Sequence, residues 1–185
     1  MKILMLLGSP RKAGTTAALA EEFRRGALAA GHQVEMLRAA EMKVHPCLGC
    51  GACKQGEIPC VYAGQDEMDK LRGAVLEVDG LVLVSPLYYF GLSTQLKTVL
   101  DRFYGFNKLL RSQEKAAWLI SAGADAEPQA MEALKSQFRL LCGYLGWQNR
   151  GEMLALSAAQ PEELTCAQKQ MAFDLGRQGK CPEIE

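Results

Sequence analysis

The stretch MKILMLLGSPRKAGTTAALA, residues 1–20, decides the fold. Lys2–Leu7 is a near-continuous apolar run, the pattern of a parallel strand covered on both faces. Gly8, Ser9, Pro10 and Arg11 end that run at once. From Ala17 to Ala30 the residues Leu19, Phe23 and Ala27 recur at helical spacing, with Glu21, Glu22, Arg24 and Arg25 on the other side. Gly31 follows as a C-cap. A buried strand, a glycine-bearing loop and an amphipathic helix in this order open a βαβ unit.

The same alternation continues along the chain. Gln33–Arg38 is a weaker, partly polar strand, placed at the sheet edge. A loop rich in Cys and Gly covers about residues 44–64, and Gln65–Glu77 reads as a helix with Asp66 as its N-cap. Leu81–Ser85 and Ala116–Ser121 are buried strands, and Gly151–Leu156 is the fifth. Ser93–Leu110 reads as one long helix, Glu127–Leu145 as an amphipathic helix, and about Glu162–Gly176 as the last. Five strands interleaved with five helices predict an α/β fold with a parallel sheet covered on both faces. Right-handed crossovers leave two common strand orders, 2-1-3-4-5 and the Rossmann order. With no repeat, low-complexity tract or linker, residues 1–185 read as a single domain.

Composition removes several function classes. The 21 Lys+Arg balance the 21 Asp+Glu, and no basic run stands out, which argues against nucleic acid or an anionic membrane as partner. With 18 Gly and 7 Pro, the chain is neither disordered nor collagenous. Met1–Leu7 is too short for a signal core, and no apolar run is long enough to span a membrane. The expected location is cytoplasmic, where the seven cysteines are reduced thiols, metal ligands or catalytic groups.

Ligands of open parallel sheets bind beyond the carboxyl ends of the strands. The first loop there, GSPRKAGTT at residues 8–16, offers Gly8 and Gly14, the hydroxyls of Ser9, Thr15 and Thr16, the cations Arg11 and Lys12, and a helix N-terminus behind them. Free N–H groups and the helix dipole make such an end an anion site. It is neither a Walker loop nor GxGxxG, so a phosphate monoester fits better than ATP or a nicotinamide dinucleotide. The second loop, SPLYYFGLSTQLK at residues 85–97, carries Tyr88, Tyr89 and Phe90 in a row. Three adjacent aromatics cannot all face one core, so at least one is free to stack on a flat ligand. The bland alternatives are an ordinary βα turn for the first loop, and helix packing or a subunit interface for the second.

These two loops resemble the signatures of the NAD(P)H-dependent FMN reductase branch of the flavodoxin superfamily. GSPRKAGTT is similar to its phosphate loop, and SPLYYFGLSTQLKTVLDR at residues 85–102 to its second signature. The resemblance implies a flavodoxin-like three-layer α/β/α sandwich of order 2-1-3-4-5 that binds FMN. Ser9, Arg11, Gly14, Thr15 and Thr16 would hold the phosphate. Pro86, Leu87, Tyr88, Tyr89 and Phe90 would line the isoalloxazine, and the loop Ser121-Ala122-Gly123 would close over its other edge. Lys97, Asp101 and Arg102 belong to the signature and read as structural. The reaction implied takes electrons from NAD(P)H through FMN to a small-molecule acceptor such as a quinone or flavin. No acid–base residue is singled out. The family habit implies a homodimer or larger homo-oligomer, and the neutral charge disfavours an acidic electron carrier.

Cys47, Cys50, Cys53 and Cys60 read as C-x2-C-x2-C-x6-C, interleaved with Gly49, Gly51 and Gly56. This is similar to ferredoxin-type [4Fe-4S] ligation, and to the compact motif of iron–sulfur flavoproteins, which sits after the second strand as here. Zinc is a less fitting occupant, since structural zinc sites use two spaced C-x2-C pairs. Thiols without metal are the third reading. His45 is near enough to ligate but reads as a solvated loop histidine. A cluster would make the protein an electron-transfer iron–sulfur flavoprotein with ferredoxin-type partners. Cys142 and Cys166 read as buried packing residues on helices, and Cys181 as a free thiol in the tail.

Overall fold

The computed structural model describes residues 1–55 and 60–178. Gly56 and Cys181 lie outside the described residues. The strands are β1 (Lys2–Leu7), β2 (Gln33–Arg38), β3 (Gly80–Pro86), β4 (Ala116–Ala122) and β5 (Gln148–Ala155). The helices are α1 (Thr15–Ala29), α2 (Ala52–Gln55), α3 (Met68–Glu77), α4 (Thr94–Arg102), α5 (Asn107–Arg111), α6 (Glu132–Leu145) and α7 (Cys166–Gln178). All strand pairs are parallel, in the order β2-β1-β3-β4-β5, so the flavodoxin-like order holds and the partly polar β2 is an edge.

Alternate residues of the central strands feed two cores. Leu4, Leu6, Leu81, Leu83 and Leu119 face α3, α4 and α6. Ile3, Met5, Val82, Val84, Trp118 and Ile120 face α1 and α7. This two-sided burial is why these strands read as unbroken apolar runs. No helix among the described residues is long and apolar enough to cross a membrane.

Helix ends follow local chemistry. Gly31 sits at φ 79° after α1, and the N–H groups of Gly31 and His32 return to the carbonyls of Leu28 and Ala27, a Schellman cap. Several expected boundaries need correction. The helix predicted over Glu127–Leu145 opens with a 3₁₀ turn at Pro128–Met131 before α6, and the last, predicted from about Glu162, starts at Cys166 after a 3₁₀ turn at Pro161–Glu163. The long helix predicted over Ser93–Leu110 breaks into α4, a 3₁₀ turn at Phe103–Phe106, and α5. Eclipsing of i and i+3 in a 3₁₀ turn buries Phe103 and Phe106 together, their rings 5.3 Å apart, and Gly105 weakens the α form between them. The helix predicted from Gln65 begins at Met68, because the Asp66 carboxylate is held by Arg102 as well as by the Met68 N–H. The fifth strand starts at Gln148 and bulges at Arg150, so polar edge residues extend it without any apolar signal.

Cys142 is buried on the sheet side of α6, where burial pushes its thiol up to about 12. Cys166 does not share that fate. It is the first residue of α7 and is exposed.

The two helices on one face touch backbone to backbone. A Cβ on Gly26 of α1 would stand 1.9 Å from the Phe173 carbonyl oxygen, and one on Gly176 of α7 would stand 2.1 Å from that of Phe23. Gly143, on the exposed side of α6, meets nothing within 4 Å. Gly26→Ala is therefore expected to lower stability by about 3 kcal/mol through overpacking. Gly143→Ala should raise it by about 0.5–1 kcal/mol through helix propensity. Urea midpoints of the two variants check both signs.

Candidate functional site

The carboxyl ends of β1, β3, β4 and β5 meet at one edge, and buried hydroxyls lash them together. The Gly8 N–H donates to the Val84 carbonyl at 2.7 Å, and the Ser93 hydroxyl donates to the Gly8 carbonyl at 2.8 Å. The Ser93 N–H donates to the Ser85 hydroxyl at 2.8 Å, and that hydroxyl donates to the Pro86 carbonyl at 2.9 Å. Ser93 also accepts from the Leu96 N–H, capping α4. Gly8 is required here, since a Cβ would lie 2.4 Å from the Ser93 hydroxyl.

Above this junction lies a cleft of about 190 Å³ lined by Ser9, Arg11, Gly14, Thr15, Thr16, Pro86, Leu87, Tyr88 and Gly123. Nine of the eleven residues expected to bind the cofactor thus share one cavity. Ser9, Thr15 and Thr16 are buried. The Thr15 hydroxyl is buried with no hydrogen-bond partner. Gly14 is the N-cap of α1 and supplies no side-chain cap, and the first turn holds no acidic residue, so the Thr15 and Thr16 end of the helix presents its positive dipole end to the cleft.

Tyr89 and Phe90 do not line the cleft. They form the tip of a tight hairpin in which the Tyr88 and Gly91 backbones exchange both hydrogen bonds. Their φ angles, 45° and 63°, are those of a type I′ turn, a conformation that usually takes Asn-Gly. Tyr89 is fully exposed, and Phe90 and Tyr88 are more than two-fifths exposed. Ser157, at φ 50°, stands on the loop after β5, beside Ala158 and Ala159 of the cleft wall. All non-glycine residues with positive φ among the described residues therefore lie at this edge. Strain held in this way marks functional edges.

Ala122 lines the cleft as part of the expected Ser121–Gly123 loop, whereas sequence reasoning missed Ala124, Ala158 and Ala159 entirely. Alanine carries no chemical signal. The only cue was position, at the ends of β4 and β5.

The cysteine loop forms a second cavity, of about 520 Å³, lined by Cys47, Cys50, Cys53 and Cys60 together with Tyr62, Asp101 and Tyr104. Gly49 and Gly51 turn the backbone between the thiols with φ of 64° and 75°. Among the described residues, no three His, Cys, Asp or Glu side chains lie close enough to hold a single metal ion. The six described cysteines are all unbridged. His45 is exposed as expected, and its ring stacks on Tyr62 with centroids 4.5 Å apart. Lys97 and Asp101 form an exposed pair on α4, whereas Arg102 is buried against Asp66. Burial raises the Asp66 carboxyl, but hydrogen bonds from Arg102 and from the His45 and Met68 amides outweigh it and hold the group below its ordinary range.

A parallel sheet of flavodoxin-like order, with a cleft lined by hydroxyls, an arginine and a helix N-terminus at its carboxyl edge, sets the class. The chain belongs to the NADPH-dependent FMN reductase family, whose model matches residues 1–160. It is 32% identical to an iron–sulfur flavoprotein of Methanocaldococcus jannaschii over 125 residues, 67% of this chain and 63% of that protein. The chain thus spans less than two thirds of that protein's length. It is 26% identical over 164 residues to YwqN of Bacillus subtilis, named as an NAD(P)H-dependent FMN-containing oxidoreductase, covering 83% of this chain and 84% of that one. The solved structure of an FMN-dependent NADH-azoreductase from Bacillus anthracis in complex with FMN has the same fold, with a TM-score of 0.71 at 12% identity, covering 96% of this chain and 99% of that one.

Removing the hydroxyl at the strand junction tests its weight. Ser93→Ala leaves the Gly8 carbonyl unsatisfied and α4 uncapped, and is expected to cost about 1–3 kcal/mol. Denaturant unfolding without added cofactor measures it, and the loss should exceed that of a control at exposed Ser112.

Proposed function

We propose that the chain is an FMN-dependent oxidoreductase that takes electrons from NAD(P)H and passes them to a small-molecule acceptor such as a quinone or a flavin. The unpartnered Thr15 hydroxyl carries this reading. It is buried in the first turn of α1, whose free N–H groups open on the same cleft. A buried donor without an acceptor costs about 1–3 kcal/mol, and phosphate oxygens remove that cost. Ser9, Arg11, Gly14, Thr15 and Thr16 would hold the phosphate. Pro86, Leu87, Tyr88 and Gly123 would flank the sugar chain and the near edge of the ring. The cleft is smaller than an ordinary small-molecule pocket of roughly 300–1,000 Å³, which leaves the flat ring at the mouth beside Tyr89 and Phe90.

Bound there, FMN supplies the acceptance of a hydride and the return of its electrons, while the protein supplies binding and orientation. Among the lining residues only Arg11 and Tyr88 are ionisable, so proton supply is left to solvent at the open mouth. Pro86 and Leu87 give an apolar wall, and Gly123 packs against Leu87, where a Cβ would stand 3.2 Å from the leucine side chain. Membership of the reductase family and the name of the Bacillus subtilis relative support NAD(P)H as donor. A homodimer or larger assembly and a cytoplasmic location belong to the same proposal. The bare aromatic tip supports the first, and the unbridged thiols support the second.

Thr15→Val is shape-conserving and gives a two-sided test. FMN affinity, read by quenching of flavin fluorescence, should fall about 10- to 100-fold, while the cofactor-free protein should be as stable or more so. Arg11→Ala should weaken FMN without the gain in stability. A purified protein that takes up no FMN and oxidises no NAD(P)H in the presence of a soluble quinone would refute the proposal.

A second reading is favoured by the cysteine cavity. The four thiols line one cavity of about 520 Å³, and relatives matched over about two thirds of the chain are named iron–sulfur flavoproteins. Cys47, Cys50, Cys53 and Cys60 would hold a [4Fe-4S] cluster, which supplies one-electron transfer, and a ferredoxin-type protein would be the partner. Cys50→Ala is expected to abolish iron uptake on anaerobic reconstitution and to leave FMN affinity unchanged. Iron content equal to that of the unmodified protein would reject this ligand set.

A further inference from the structure

The aromatic signature ends in a residue that the cofactor cleft leaves unused. Arg102 closes α4 and is only 4% exposed. Its guanidinium donates to Asp66 at 2.6 Å and to the His45 carbonyl at 2.8 Å. Asp66 in turn accepts the His45 N–H at 3.0 Å, so one buried ion pair holds both backbone polar groups of His45. The Arg102 guanidinium also lies 5.2 Å from the centre of the Tyr62 ring, the ring on which His45 stacks. Burial opposes the charge, yet Asp66 and Cys60 hold the guanidinium above its ordinary range.

His45 and Cys60 bracket the loop that carries Cys47, Cys50 and Cys53. Alongside the Lys43–Glu67 hydrogen bonds, the Arg102 fork and its counter-ion close the base of this loop. A planar fork serves a carboxylate and a carbonyl in one fixed plane, which a lysine point charge cannot. Breaking a buried pair of this kind is costly, so the loop base is stiff while the thiol-bearing segment above it lies open to solvent.

We propose that Arg102 is the positioning residue of the cysteine centre: with Asp66 it pins the loop at His45 and, through the Tyr62 ring, just beyond Cys60. The pinning rests on the geometry alone, and the redox consequence rests on the iron–sulfur reading. A buried positive charge beside the cysteine cavity favours the reduced, more negative centre, so it raises its potential.

The test uses the full chain, purified without oxygen and reconstituted with ferrous iron and sulfide, as the unmodified protein, Arg102→Lys and Arg102→Gln. Hydrogen exchange should rise about tenfold in peptides covering residues 44–55 and 60–66 in both variants, with the β1 and β3 peptides and FMN affinity unchanged. In a redox titration followed by the iron–sulfur absorbance, Arg102→Gln should have a lower midpoint than the unmodified protein, and Arg102→Lys should recover part of the shift. Unchanged exchange in the loop would overturn the proposal. So would faster exchange spread evenly over the sheet, which would assign Arg102 to global stability. Equal midpoints in iron-loaded Arg102→Gln and unmodified protein would overturn the electrostatic half. If the unmodified protein takes up no iron, the iron–sulfur reading fails by itself, and the exchange result alone decides the pinning.

Discussion

Everything at the working edge depends on the hydroxyl junction of Ser85, Ser93 and Gly8. Where β1 and β3 end side by side, their last carbonyl and amide groups lose strand partners and are buried beneath the cleft. Buried backbone groups without partners are costly, and two serine side chains supply them here. Ser93 also caps α4, so the same atoms that close the phosphate loop set the start of the aromatic loop's helix. Substituting Ser93 disturbs loops 85 positions apart in the chain.

With that junction satisfied, the edge can carry features that would be unfavourable elsewhere. The first turn of α1 leaves the Thr15 hydroxyl without a partner, and its Ala17 and Ala18 N–H groups return to the Gly14 carbonyl. The Tyr89–Phe90 tip keeps two bulky residues in the left-handed region, at a cost of order 1–3 kcal/mol each. The remaining wall is alanine and glycine, which lets backbone approach whatever lies in the cleft. On the proposed function, an anionic, flat ligand would satisfy the unpaired donors and cover the strained aromatic rim on this rigid base.

The helix that begins at this junction also ends at the second cavity. α4 is nine residues long, about 13 Å, with Ser93 at the cleft end and Asp101 and Arg102 at the cysteine end. The Arg102–Asp66 pair ties the loop after β2 to that helix across 36 positions of sequence. One short rigid element therefore sets the placement of both cavities.

Much of this was legible in the chain. Unbroken apolar runs at β1, β3 and β4 can be buried only on two faces, and that alone required a parallel sheet with helices on both sides. The loops GSPRKAGTT and SPLYYF pointed to an anion and a flat group through their donors and aromatics, and eight of the residues nominated in them share one cleft. The breaks were not legible: the 3₁₀ turn at Phe103–Phe106 and the polar start of β5 answer to core packing and edge pairing, which leave no periodic trace. Residue types determined what chemistry the chain could hold, because donors, thiols and aromatics are properties of side chains. Tertiary structure decided which of them meet. Asp66 looked like a helix cap and became the partner of Arg102, because only folding brings a buried cation within reach of its carboxylate. Alanines without any chemistry of their own became walls, because only folding puts the ends of β4 and β5 beside the first loop.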